Sequence, residues 1–152
     1  MDFKELISDF SVRHGLQGLL AEDDTVMFNV DDIPVFIMAD GDKIVFISEI
    51  GEPPVEGKAG FADLLLTANS NEDTIVFAKS QDSGKYVLIC RLPLAGMDGD
   101  AFDATLEELV NQAENWRNLL ATFRPAAEAA AATEADAKDE GFTISMAGFL
   151  RG

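Results

Sequence analysis

The sequence predicts an α+β fold: a five-stranded antiparallel sheet with three helices, in the order α-β-β-β-α-β-β-α. Three observations predict it. Two segments, one near the start and one stopping at Pro125, repeat their apolar residues at the spacing of an amphipathic helix. Five short runs between them are rich in Val, Ile and Phe, the composition of strands. These runs fall into a group of three and a group of two, with short turns inside each group and a brief helical stretch between the groups.

Element by element, Phe3, Leu6, Ile7 and Phe10 share one stripe of a first helix that ends at Gly15. Thr25 to Val30 reads as extended, Asp31-Asp32 as a turn, and Ile33 to Ala39 as the second strand. Asp40-Gly41-Asp42 turns the chain into the third strand, Lys43 to Ile50. Pro53-Pro54 and two further glycines make Gly51 to Gly60 a loop through which neither a strand nor a helix is expected to continue. Phe61, Leu64, Leu65 and Ala68 mark a short helix. Thr74 to Lys79 and Lys85 to Arg91 form the last hairpin. Asp98 or Asp100 caps a long helix whose apolar stripe runs from Phe102 through Leu106, Leu109, Ala113 and Trp116 to Phe123. Residues 1–124 are thus expected to form one domain. Residues 125–141, Ala-rich and acidic with a single Lys138, are expected to be a flexible linker, and 142–152 a short apolar C-terminal segment.

The second strand, Ile33-Pro34-Val35-Phe36-Ile37-Met38-Ala39, is apolar at every position, and the third, fourth and fifth are apolar on both faces over much of their length. Half-exposed antiparallel strands alternate instead. Three helices cover one face of such a sheet, so the apolar residues of the other face call for a partner, a second copy or another protein. A strongly curled sheet straddled by its helices is the alternative.

Charge narrows the partner. The 152 residues carry a net charge of −17, and the part before Pro125, with nine basic and 23 acidic side chains, carries −14 of it. That sign repels phosphate backbones and anionic lipid, which argues against nucleic-acid binding and membrane association and favours neutral or basic protein partners. No run approaches 18 consecutive apolar residues, so membrane insertion is not expected. The single Cys90 forms no internal disulfide, and the start has neither a basic nor an apolar leader region, which predicts a reduced, cytosolic protein.

No residue pattern calls for catalysis. His14 is the only histidine, has no sequence neighbour for a relay or a metal cluster, and suits a helix C-terminus. Cys90 sits inside an apolar strand. Asp23-Asp24 and Asp31-Asp32 read as turns. Asp98-Gly99-Asp100 fails as a calcium loop, with Asp103 where a Gly is wanted and Leu109 where a Glu is wanted. Phosphate-binding and nucleophile-elbow motifs are absent from the sequence. The expectation is a non-enzyme with no cofactor and no metal.

Three stretches carry a family likeness: FKELISDFSVRHGLQGL, IPVFIMADGDKIVFISEIGEPP and RLPLAGMDGDAFDATLEELVNQAENWRNLL. Together with the element order and the acidity, they resemble class I type III secretion chaperones, the Tir chaperone family, over about residues 1–124. The resemblance implies a bacterial cytosolic homodimer that binds the N-terminal chaperone-binding segment of a secreted effector and keeps it extended and secretion-competent. It assigns effector contacts to Phe3, Leu6, Ile7, Phe10, Phe28, Val30, Val35, Phe36 and Phe46. It assigns the dimer interface to Leu64, Leu65, Ile75 and Phe77. The tail after Pro125 is not required by the family pattern. Phe142, Ile144 and Met146 alternate with Thr143 and Ser145, which suggests an extended segment able to occupy part of the effector groove or to join a sheet edge. The competing functional reading is a same-fold interaction or regulatory module unconnected with secretion. A metal-dependent hydrolase built on the acidic pairs is a distant third.

Overall fold

The computed structural model describes residues 1–16, 19, 23–71 and 74–124. The expected linker 125–141 and apolar segment 142–152 lie outside them. The elements are α1 (Phe3–Arg13), β1 (Thr25–Val30), β2 (Ile33–Asp40), β3 (Lys43–Gly51), α2 (Lys58–Asn69), β4 (Ile75–Lys79), β5 (Tyr86–Pro93) and α3 (Gly99–Thr122). All strand pairs are antiparallel, and the sheet order is β1-β2-β3-β5-β4, so β1 and β4 form its two edges.

Local sequence fixes the helix ends. Asp2 caps α1 by accepting from the Glu5 amide at 2.8 Å, and the Glu5 carboxylate accepts from the Asp2 amide at 2.9 Å, a reciprocal box that satisfies two otherwise unpaired donors. Gly15, with φ of +64°, follows the His14 cap and lets the chain leave the helix. At α3 the cap is Asp98, not Asp100: its side chain accepts from the Ala101 amide at 2.8 Å. The helix closes at Phe123, two residues before Pro125.

The region expected to be a loop from Gly51 to Gly60 is shorter. β3 runs through Gly51, and α2 begins at Lys58, so Gly60 is helical. Packing outweighs the poor helix propensity of glycine here. A Cβ on Gly60 would lie 3.7 Å from the Phe123 ring, so the small residue lets the end of α3 come close to α2. At Gly51 the backbone has φ of +145°, the ladder to β5 shifts register, and a Cβ would lie 3.1 Å from Leu120. Only glycine fits that bend easily. β5 likewise extends past Arg91 to Pro93.

One core forms between the sheet and all three helices. From the strands it takes Val26, Ile33, Val35, Ile37, Ile44, Phe46, Ile50, Ile75, Phe77, Tyr86, Leu88 and Cys90, every one from the same face of the pleat. Aromatic rings join the layers. Phe102 of α3 lies 5.1 Å from Phe10 of α1 and 5.2 Å from Phe46 of β3, while Phe61 of α2 lies 5.1 Å from Phe123. Burial of these large side chains is the main stabilising term, at about 1.5–3 kcal/mol each. The helices therefore do not straddle the sheet.

Candidate protein-binding site

Side chains alternate along a strand, so the residues between the core positions point away from the helices. The register aligns them. Met27 of β1 pairs with Phe36 of β2, Phe36 with Ile47 of β3, Ile47 with Ile89 of β5, and Ile89 with Val76 of β4. One apolar row thus crosses the whole sheet on its uncovered face, a span of about 19 Å for four inter-strand steps. Met38 and Ala78 flank it, with Val45 and Val87 buried among their neighbours on the same face. Met27 is 63% exposed and Phe36 37%. No helix packs on this face among the described residues.

The two edges of the sheet differ. In β1 the Ala39 amide donates to the Asp24 carbonyl at 2.9 Å, which makes the even-numbered residues the ones bonded to β2. The amides and carbonyls of Met27 and Asn29 therefore point outward, where a further strand would pair. At β4 the outward groups of Phe77 are already taken: Asn69 of α2 accepts from the Phe77 amide at 2.6 Å and donates its side-chain amide to the Phe77 carbonyl at 3.1 Å. A single side chain stands in for a neighbouring strand.

Beside that capped edge, α2 and β4 enclose an apolar groove of about 560 Å³. Ala59, Ala62, Leu65, Leu66, Phe77 and Tyr86 line it, and Lys58 and Lys79 stand at its rim. Leu66 is 67% exposed.

A polar cluster ties α1 to α3. Arg13 bonds Asp9 at 2.7 Å, bonds Asp103 directly, and donates to the Gly99 carbonyl at 3.2 Å. His14 Nε2 is 3.2 Å from the same Asp103 oxygen. Hydrogen bonds to Asp103 and Asp9 raise the Arg13 pKa further above its ordinary value. Burial pushes Asp103 up, but its bonds to Arg13 and His14 outweigh that and hold it below the usual carboxylate range. Burial raises the Cys90 thiol and the Tyr86 phenol. Sequence reading found no partner for His14, because Asp103 is 89 residues away.

The residues assigned to effector contact are spread over both sides of the sheet. Phe3, Leu6, Ile7, Phe10, Val35 and Phe46 are buried in the protomer core. Phe28 and Val30 are half-buried against that core at the β1 edge, and Phe36 alone of the set lies on the uncovered face. Met27, Ile47, Ile89 and Val76, which complete its row, were not singled out by the sequence. Of the dimer set, Leu65 and Phe77 line the α2–β4 groove, whereas Leu64 and Ile75 are buried beside it. Leu66, the exposed residue there, was also missed.

Residues 5–117 match the family model described as Tir chaperone protein (CesT) family. No curated protein sequence matches the chain. Three solved structures are similar in fold. One is the HopA1–SchA chaperone–effector complex, with a TM-score of 0.66 at 17% identity, covering 76% of this chain and 93% of that one. Another is the heterodimeric ExoU–SpcU complex of the type III secretion system of Pseudomonas aeruginosa, with a TM-score of 0.61 at 20% identity, covering 75% and 97%. The third is YbjN, a putative transcription regulator from E. coli, with a TM-score of 0.58 at 14% identity, covering 77% and 90%. Among the described residues, no helix is long and apolar enough to cross a membrane.

Proposed function

From the premise that this chain belongs to the Tir chaperone (CesT) family, we propose that it is a type III secretion chaperone. It binds the N-terminal segment of a secreted effector in the bacterial cytosol and keeps that segment extended, without performing catalysis. The observation that carries this reading is the uncovered apolar row from Met27 to Val76, which borders a β1 edge whose outward backbone groups have no backbone partner among the described residues. An extended chain laid there gains main-chain hydrogen bonds from the edge and apolar contacts from the face. The acidity of the protein draws basic segments toward it and keeps an exposed apolar surface soluble.

Homodimerisation through the α2–β4 side belongs to the same reading, with Leu65, Leu66 and Phe77 as its apolar contacts. Phe28 and Val30, half-buried at the β1 edge, and Phe36 on the face are the effector contacts the geometry supports. The experiment is co-purification from the native bacterium with identification of the bound protein by mass spectrometry, repeated with Phe36→Asp. Recovery of a secreted protein that Phe36→Asp loses supports the reading. Recovery of only non-secreted partners would favour the interaction-module alternative, which the YbjN-like fold accommodates.

A further inference from the structure

The row from Met27 to Val76 is apolar, but the strands that carry it also bring charge to the uncovered face. Their charged residues at the parity opposite to the core positions are Asp40, Lys43, Glu49 and Arg91. Both acids have a cation at hand: Asp40 stands opposite Lys43 in the β2–β3 register, and the Glu49 carboxylate lies 3.3 Å from the Lys85 ammonium. Arg91 is different. It is exposed, pairs with Val45 of β3, and makes no side-chain ion pair or hydrogen bond with a described residue. Ile89, in the middle of the apolar row, precedes it by two positions, so its Cα lies about 7 Å to the side of that row.

A chain laid over the row takes this guanidinium out of water. Covering an unpaired charge is costly, and a planar five-donor fork is best satisfied by a carboxylate, which it bonds bidentately. Lys43, diagonal to Arg91 across the β3–β5 ladder at about 7–8 Å, adds a second cation on the same flank. A basic residue placed there is repelled at contact, even though the net charge of −17 attracts basic segments from a distance. We propose that the polypeptide segment held on the uncovered face sets an Asp or Glu side chain on Arg91, beside apolar residues that contact Ile47 and Ile89. Arg91 then determines register. Apolar contacts are non-directional and let a segment slide along the row, whereas one bidentate pair on its flank fixes which residue of the segment meets which strand. The inference rests on effector binding at this face and adds the chemistry of the bound segment.

A displayed library of random peptides of about twelve residues, long enough to cross the sheet in extended form, tests it when selected on the full-length protein. Binders lost on Phe36→Asp are the ones held on the face. These are expected to share an acidic residue at a constant spacing from their apolar positions. A synthetic peptide of that set is expected to bind Arg91→Glu at least about ten-fold more weakly than the parent, with the melting temperature of the protein close to the parent value. The same peptide with its acid replaced by Lys is expected to invert the preference and bind Arg91→Glu more tightly than the parent, a reversal that requires both a folded protein and a direct contact.

Face-bound peptides without a common acid, or with one whose loss costs no affinity, overturn the inference and leave effector binding at the face standing. An acidic peptide indifferent to Arg91→Glu does the same. If the library yields no binder, or only binders that Phe36→Asp retains, the face is not a peptide site and the inference falls with it. Self-association, followed by sedimentation, that both Phe36→Asp and Arg91→Glu abolish assigns the face to a second copy and overturns the inference as well.

Discussion

The two edges of the sheet solve the same problem in opposite ways. An edge strand exposes unpaired backbone and invites pairing with any extended chain. At β4 the invitation is withdrawn: Asn69 bonds both outward groups of Phe77, and α2 stands over the strand. At β1 the outward groups of Met27 and Asn29 are bare among the described residues, beside an apolar face on which Met27 is exposed. The difference teaches that exposure at β1 is selective. The same fold closes one edge with a single side chain and keeps the other available, which is the arrangement a protein needs when it must pair with a foreign chain in one place only.

The two sides of the sheet separate most visibly when a charge is placed on each face. Phe77→Asp puts an unpaired carboxylate where the ring is 7% exposed and 4.6 Å from Trp116, so a loss of about 3–5 kcal/mol in stability is expected by urea denaturation. Phe36→Asp, on the bare face, is expected to change stability by less than about 1 kcal/mol while lowering effector affinity at least ten-fold by calorimetry. Equal destabilisation by the two changes would erase the distinction between the helix-covered and the uncovered face of the sheet.

Removing the cap comes next in size. Asn69→Ala deletes both bonds to Phe77 and is expected to cost about 1–3 kcal/mol, with new concentration-dependent association as the β4 edge is uncovered. Light scattering checks the association. At β1, proline discriminates backbone from side chain: Met27→Pro removes only an outward amide and is expected to fold, with a melting temperature close to the parent, yet to bind the effector segment less tightly. Val26→Pro, one residue earlier, removes an inward amide and is expected to destabilise β1. If Met27→Pro binds normally, effector pairing at this edge is wrong and the apolar face alone holds the partner.

The smallest effect belongs to the α1–α3 cluster. Asp103 titrates below its ordinary value, so its contribution is present above the unfolded carboxylate pKa of about 4 and fades as pH falls through the lowered native value. The side chains of Arg13 and Asp103 are each 32% exposed, so solvent screening keeps that contribution small. Asp103→Asn is expected to flatten the acid limb of stability below about pH 4 without altering the behaviour of either edge.

Most of the fold was legible because burial imposes period on sequence. The stripe Phe3, Leu6, Ile7 and Phe10 gave the first helix, and Asp40-Gly41-Asp42 the hairpin between β2 and β3. The start of α2 was hidden by Gly60, whose role is a close contact with Phe123 from the other end of the chain. The site was only partly legible. That both sheet faces are apolar could be read directly, but not which parity faces the helices, so the effector set mixed core residues such as Val35 and Phe46 with Phe36. Counting pairs outward from the Asp31-Asp32 and Gly41-Asp42 turns would have found Met27, Phe36 and Ile47 in one row. Ile89 and Val76 join it only through the β3–β5 pairing, a long-range contact without local signature. The Asn69 cap was equally hidden, since nothing in a helix-ending Asn announces that a strand eight residues later will meet it.

Cys90 sets a limit on how history can be written into this molecule. It is the sole thiol, 2% exposed on the helix-covered face, with its ionisation pushed up by burial. Thiolate is the reactive form, so oxidants and mixed disulfides reach it slowly while the fold is intact. A second copy or another chain that binds this protein would thus acquire no disulfide lock through Cys90 from a passing oxidative event. Such associations are expected to come apart with the same rate constants under reducing and mildly oxidising conditions, since burial keeps the one thiol in its unreactive form.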